Sequence, residues 1–240
     1  MSLKQLCLHA LGSELLRPTG SDTHQQGRQQ RLAAAVPELP ADQLEALWDV
    51  LAGWRLLRAD LAWGALWQPT WVAPRRELSL AGCVLLSGQE VAAHIASTCT
   101  ALTSLSLAGI LTVKDADVRT VCRAAGGLEH VDLTGCCGLG DHAVQALSGL
   151  RSLRWLSLAR CWQVRGVGPL QHCPELRSLN LGGCWQVGDT ELGDLLSGLH
   201  HLEELQVWGR NYLPPHARPI RPHGTCRCFG TSAATRPEAT

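Results

Sequence analysis

A chain of 240 residues that is 45% apolar is long enough to bury a sizeable core, as one large unit or as a small one beside a larger one. Its 21 Lys and Arg balance 21 Asp and Glu, which leaves no net field to steer it toward nucleic acid or an anionic membrane. No apolar run reaches the roughly 18 residues of a membrane-spanning helix.

In chain order, the first stretch, "MSLKQLCLHALGSELLRPTG", has a short, interrupted apolar segment. It lacks the continuous apolar region and small-residue cleavage site of a signal peptide, so a cytoplasmic or nuclear location is expected. Gly20–Gln30, "GSDTHQQGRQQ", reads as a flexible linker, and residues 1–36 as a partly disordered segment. Residues 37–74 are different. "ELPADQLEALWDVL" places Leu44, Leu47, Trp48 and Leu51 on one face of a helix that begins after Leu39-Pro40. "GWRLLRADLAWGALW", Gly53–Trp67, follows with Trp54, Leu66 and Trp67.

From residue 75 the chain repeats. Leu-x-Leu-like pairs begin at Leu78, Leu105, Val131, Leu156, Leu179 and Leu205, spaced by 27, 26, 25, 23 and 26 residues. A further leucine stands three positions upstream in five rows, and Arg75 takes that place in the first. The pattern L-x-x-L-x-L-x-x-C at this period is that of a leucine-rich repeat. Each pair predicts a short strand with its leucines in the core, and a helix follows on the other side. Asp115, Asp141 and Asp189 are expected to N-cap three of these helices. Row four, "VRGVGPLQHC", has Gly166 in place of the Asp and a proline at 169, which predicts a reduced or 3₁₀ element. Stacked rows bury what single rows cannot, so an α/β solenoid with a curved parallel sheet of five to six strand–helix repeats is expected over 75–210. Residues 211–240, rich in Pro, Arg, His and Thr, read as a disordered tail.

Cys83, Cys136, Cys161 and Cys184 share one phase of the repeat, as small buried residues in a reducing compartment would. No ligand cluster for a metal and no cofactor-binding motif is evident. The elbow, phosphate-loop and metalloprotease signatures are absent too, and His130 beside Asp132 has no nucleophile or oxyanion donor in company. An enzyme is not expected. Strand-flanking positions face the concave surface, and these include His130, Asp132, Trp155, Asn180, Glu204 and Trp208. Arg160, Trp162 and Trp185 stand just beyond the strands, and with the rest they form the expected partner-binding set. The tetrapeptide "CWQV" occurs at both Trp162 and Trp185, and its indoles are read two ways. Either they form an aromatic shelf for a partner, or each seals the core beneath a neighbouring loop.

These motifs resemble the cysteine-containing repeats of the F-box/leucine-rich-repeat family. Leu39-Pro40 and the helix after it resemble the opening of an F-box, and Trp54 to Trp67 its closing part, with Leu51 running almost directly into Trp54 where the middle of the motif would stand. The resemblance implies that Leu39, Pro40, Leu44, Leu47, Trp48, Leu51, Trp54, Leu66 and Trp67 dock on the adaptor of a cullin–RING ubiquitin ligase, while the repeats hold a protein substrate. The alternative reading of 37–74 is a helical cap over the first repeat, in a stand-alone interaction protein without ligase association. A third is a shortened form whose C-terminal end lacks a cap.

Overall fold

The computed structural model describes residues 36–55, 57, 59, 62–207 and 227–229. The linker at Gly20–Gln30 and most of residues 211–240 lie outside them, as do Trp208 and Arg210.

The chain enters through a 3₁₀ turn at Val36–Glu38 and then α1, Ala41–Gly53. Proline is well placed just before the first turn, and the helical spacing read from the sequence buries Leu44, Leu47, Trp48 and Leu51. A π-type turn at Ala62–Leu66 and the one-turn helix α2, Pro69–Val72, complete this region. Trp48 is its hub, with ring centroids of Trp67, Trp71 and Trp63 at 5.3, 5.5 and 6.2 Å.

Six three-residue strands follow: β1 (Glu77–Ser79), β2 (Ser104–Ser106), β3 (His130–Asp132), β4 (Trp155–Ser157), β5 (Ser178–Asn180) and β6 (Glu204–Gln206). They pair in parallel in chain order, with Leu78, Leu105, Val131, Leu156, Leu179 and Leu205 in register. The middle residue of each strand points inward and its neighbours point out, the period-two consequence of a pleated backbone. Helices return along the opposite side: α3 (Gly88–Thr98), α4 (Asp115–Ala124), α5 (Asp141–Leu147) and α6 (Asp189–Gly198). In row four the return is a 3₁₀ helix, Gly168–His172, as its glycine and proline predict. One buried cluster runs without a break from Val36 through the α1 leucines to Leu205, so the N-terminal helices and the repeats share a single core.

Two column residues explain how rows stack. After each strand the chain turns through a left-handed conformation at Gly82, Gly109, Gly135 and Gly183, with φ between 73 and 79°. The repeated cysteine follows Gly82, Gly135 and Gly183, and follows Arg160 at the same place in row four, while Ile110 follows Gly109. The thiols of Cys136, Cys161 and Cys184 point to the carbonyls of Leu107, Leu133 and Leu158 in the preceding row, at 3.2, 3.2 and 3.0 Å. The cysteine is therefore architectural: it fills the corner and satisfies a carbonyl there. Burial pushes the Cys136 thiol up to about 12, and raises Cys161 further still, so both remain protonated.

One expectation is corrected. The aspartates do not cap their own helices. Asp115 and Asp141 are first helical residues after Lys114 and Gly140, and their carboxylates reach into the next row. Asp115 Oδ1 accepts from Gly140 N–H at 2.7 Å, and Asp141 Oδ1 accepts from the N–H groups of Arg165 and Gly166 at 2.7 and 2.9 Å. A side chain one position inside the helix no longer faces its own first turn, while the adjacent row's loop offers unpaired N–H groups. Within residues 211–240 the structure describes Arg227–Phe229, a strand. The backbone of β7 (Arg227–Phe229) lies parallel to β6, with Leu205 opposite Cys228. A sheet edge exposes a row of N–H and C=O groups, and even a polar segment can pair with it.

Candidate functional site

The outward strand positions form a face of small and polar side chains, knitted sideways. Ser106 Oγ donates to Asp132 Oδ2 at 3.3 Å, Thr134 N–H donates to Asp132 Oδ1 at 3.0 Å, and the Thr134 and Ser157 hydroxyls are 2.7 Å apart. Further along, Gly182 N–H donates to Asn180 Oδ1 at 2.9 Å and Ser178 Oγ to Glu204 Oε2 at 3.3 Å. Asp132, Asn180 and Glu204, three expected partner contacts, thus already hold their neighbours in place. His130 is exposed and Trp155 half-buried, side by side across the β3–β4 register. At the start of the strands, Arg154–Glu129 and Arg177–Glu203 form exposed ion pairs at 3.6 and 3.2 Å, each worth about 0–1 kcal/mol.

Beyond the strands lies the clearest feature. Trp162 and Trp185 stack, with ring centroids 5.9 Å apart and planes 22° from parallel. They stay 42% and 57% exposed. The core lies beneath the adjoining cysteines and valines, and neither indole is buried under a neighbouring loop. Arg160, two residues before Trp162, occupies the left-handed position at φ 60° that four other rows give to glycine. The extra Cβ there costs about 1 kcal/mol or more, and such outliers gather where a side chain is needed for something other than stability.

The face also has a groove that sequence reasoning missed. It measures about 540 Å³ and lies between the end of α1 and strands β1 and β2. Asp49, Arg55, Arg75 and Glu77 line its polar side, and Ser79, Ser104 and Ser106 its floor. Arg75 organises it: its guanidinium pairs with Glu45 at 3.1 Å and Asp49 at 2.7 Å and lies 5.1 Å from the Trp71 ring. The one visible signal was the arginine at 75 where every later row has leucine.

The residues expected to dock on an adaptor lie at different depths. Leu44, Leu47, Trp48, Leu51, Leu66 and Trp67 are buried, Leu39 and Trp54 are half-buried, and Pro40 is exposed. The tryptophans pack onto α3: Trp67 Nε1–H donates to Thr98 Oγ1 at 3.1 Å, and Trp63 stacks on His94 at 4.3 Å. No group of three or more His, Cys, Asp or Glu among the described residues is arranged to hold a metal.

No protein-family model matches the sequence, and no curated protein does. Solved structures do match. A chain from the crystal structure of the Rad7 and Elc1 complex in yeast superposes with a TM-score of 0.57 at 23% identity, over 65% of this chain and 40% of that one. This chain therefore spans well under half of that relative's length. An internalin C2 from Listeria monocytogenes str. 4b F2365 gives a TM-score of 0.47 at 19% identity, over 74% and 77% of the two chains. With the parallel sheet, the one-sided helices and the repeat period, the fold is a leucine-rich-repeat α/β solenoid.

Proposed function

We propose that this protein is an interaction scaffold that holds a protein partner against the concave sheet face and the rim beyond it. The observation that carries the reading is the exposed, stacked Trp162–Trp185 pair. Paired indoles at the surface are poorly hydrated, rigid and large, which are the properties of residues that dominate binding energy at interfaces. His130 and Trp155 extend the contact onto the sheet, with Arg160 between the two. Trp208 belongs to the same proposal by its place in the repeat. A photo-crosslinking amino acid at position 155 or 162 in the full chain should capture a defined protein, and one at Gln145 on the convex side should not. Equal capture at all three sites would sink the reading.

A second reading, a substrate receptor of a cullin–RING ubiquitin ligase, draws support from the likeness to a chain solved in complex with Elc1. On that reading the adaptor meets the surface at Leu39 and Pro40, because the apolar face of α1 is turned into the core. It would supply no bond chemistry, only raised local concentration and orientation. Leu44→Asp would unfold the cap and decides nothing. Purified adaptor titrated against wild type and Pro40→Glu gives a clean answer: no binding to the folded wild type removes the ligase reading and leaves the scaffold one intact.

A further inference from the structure

Among the described residues the large apolar side chains left exposed are Val84, Leu85, Leu111, Trp162 and Trp185. They are not scattered. Val84, Leu111, Trp162 and Trp185 each stand six positions after the register-matched core residue of their strand, namely Leu78, Leu105, Leu156 and Leu179. Row three puts Cys137 there, half-buried and followed by Gly138. Parallel pairing in a fixed register therefore stacks them into one line along the loop edge of the solenoid, with a notch at Cys137. Contiguous exposed apolar surface of this kind marks an interaction site rather than ordinary surface variation.

We propose that this ridge is the docking line for an amphipathic α-helix with acidic flanks, contributed by a protein partner. The proposal rests on the interaction-scaffold reading and names its partner class. Spacing selects the helix. Rows are about 4.8 Å apart at the strands, and the Trp162–Trp185 centroids are 5.9 Å apart. A helix offers one residue per turn at about 5.4 Å, whereas same-face residues of an extended chain recur at about 6.7 Å. Over four intervals the ridge runs about 19–24 Å, a helix about 22 Å and an extended chain about 27 Å, so only the helix stays in step. A bulky side chain at its centre would sit in the Cys137 notch.

Charge selects the flanks. Lys114, Arg160 and Arg165 are exposed beside the ridge, and no ion pair engages them among the described residues. The carboxylates of the same turns are directed elsewhere. Asp115 and Asp141 accept backbone N–H groups of the next row, Asp117 accepts from Lys114 N–H at 2.9 Å, and Glu90 accepts from the Trp63 indole at 3.2 Å. An approaching partner thus meets outward cations along an apolar line.

The test uses the full chain and a fluorescent synthetic helix of about five turns, with one leucine per turn and glutamates on both flanks. A second peptide carries lysine flanks, and phosphatidylserine vesicles form the third arm. Anisotropy should show the Glu-flanked helix binding, with at least about a tenfold loss for the Lys-flanked helix and for the Leu111→Ser/Trp162→Ser chain. Both substitutions are at exposed positions, and circular dichroism checks that the variant is folded. Gln145→Ala, on the convex side, should leave binding unchanged. The proposal is overturned if the Glu-flanked helix does not bind, if the double variant binds it equally, or if lysine flanks serve as well. Vesicle binding lost in the double variant would assign the ridge to a lipid surface and overturn it too. Loss in Trp155→Ala alone would move the contact to the concave face, which keeps the scaffold reading and removes the ridge.

Discussion

The two tryptophan clusters of this chain use the same side chain for opposite ends. Trp48, Trp63, Trp67 and Trp71 meet edge-on or tilted around a buried centre, where three indole N–H groups find acceptors. The fourth, Trp48 Nε1, is buried without one among the described residues. Trp162 and Trp185 lie nearly parallel and open to water. The first arrangement removes apolar area from solvent and joins the cap to α3. The second leaves area available that another molecule could remove. Aromatic content alone does not distinguish structure from recognition; the order of the rows and the depth of the turn do.

Each of several substitutions breaks or sharpens that contrast. Trp48→Ala should cost about 3–5 kcal/mol in urea unfolding, because it empties the hub of the buried cluster. A cost near that of a surface change would mean that the cap is not part of the core. Asp141→Ala should come next, at about 0.5–1.5 kcal/mol, since it removes the carboxylate that accepts two exposed N–H groups of the following row, which water can then take. Arg160→Gly should stabilise by about 1 kcal/mol or less, as a left-handed position loses its Cβ, while weakening partner capture. Trp185→Ala should move stability by no more than about 0.5 kcal/mol and still abolish crosslinking at the rim.

Acidity should act on the tryptophan cluster of the N-terminal region through His94. Burial against Trp63 lowers the pKa of His94, and Glu90 opposes that shift. The unfolded chain therefore takes up this proton first, and stability falls as pH drops through the ordinary histidine range near about 6.5. Stability measured between about pH 7.5 and about pH 5.5 should decline less in His94→Phe than in the wild type. An identical slope would remove His94 as the cause.

The repeat was legible because it is one-dimensional. A leucine pair every 23–27 residues fixes strand, register and core face together, and the glycine-and-proline row foretold its own 3₁₀ turn. The cap helix was legible for the same reason, from the spacing of Leu44, Leu47, Trp48 and Leu51. What those side chains face was not, because periodicity gives a face and not its occupant. The aspartates were misplaced because a carboxylate at a helix start looks the same whether it serves its own turn or the next row's. The ridge escaped notice because Val84 and Leu111 are ordinary residues. They acquire meaning only once the register puts them in line with Trp162.

The row-to-row reach of the aspartates also sets where this rod is brittle. Asp115 ties row two to row three and Asp141 ties row three to row four, whereas Gly166 has no carboxylate and rows four and five are joined instead by Gln186 Nε2–H donating to the Trp162 carbonyl. In a linear array each seam has its own strength, and opening begins at the weakest. Pulled from its ends or probed by hydrogen exchange, the solenoid should open more readily between rows four and five than between rows three and four. That seam runs directly under the stacked tryptophans, so a molecule bridging Trp162 and Trp185 would also act as a splint.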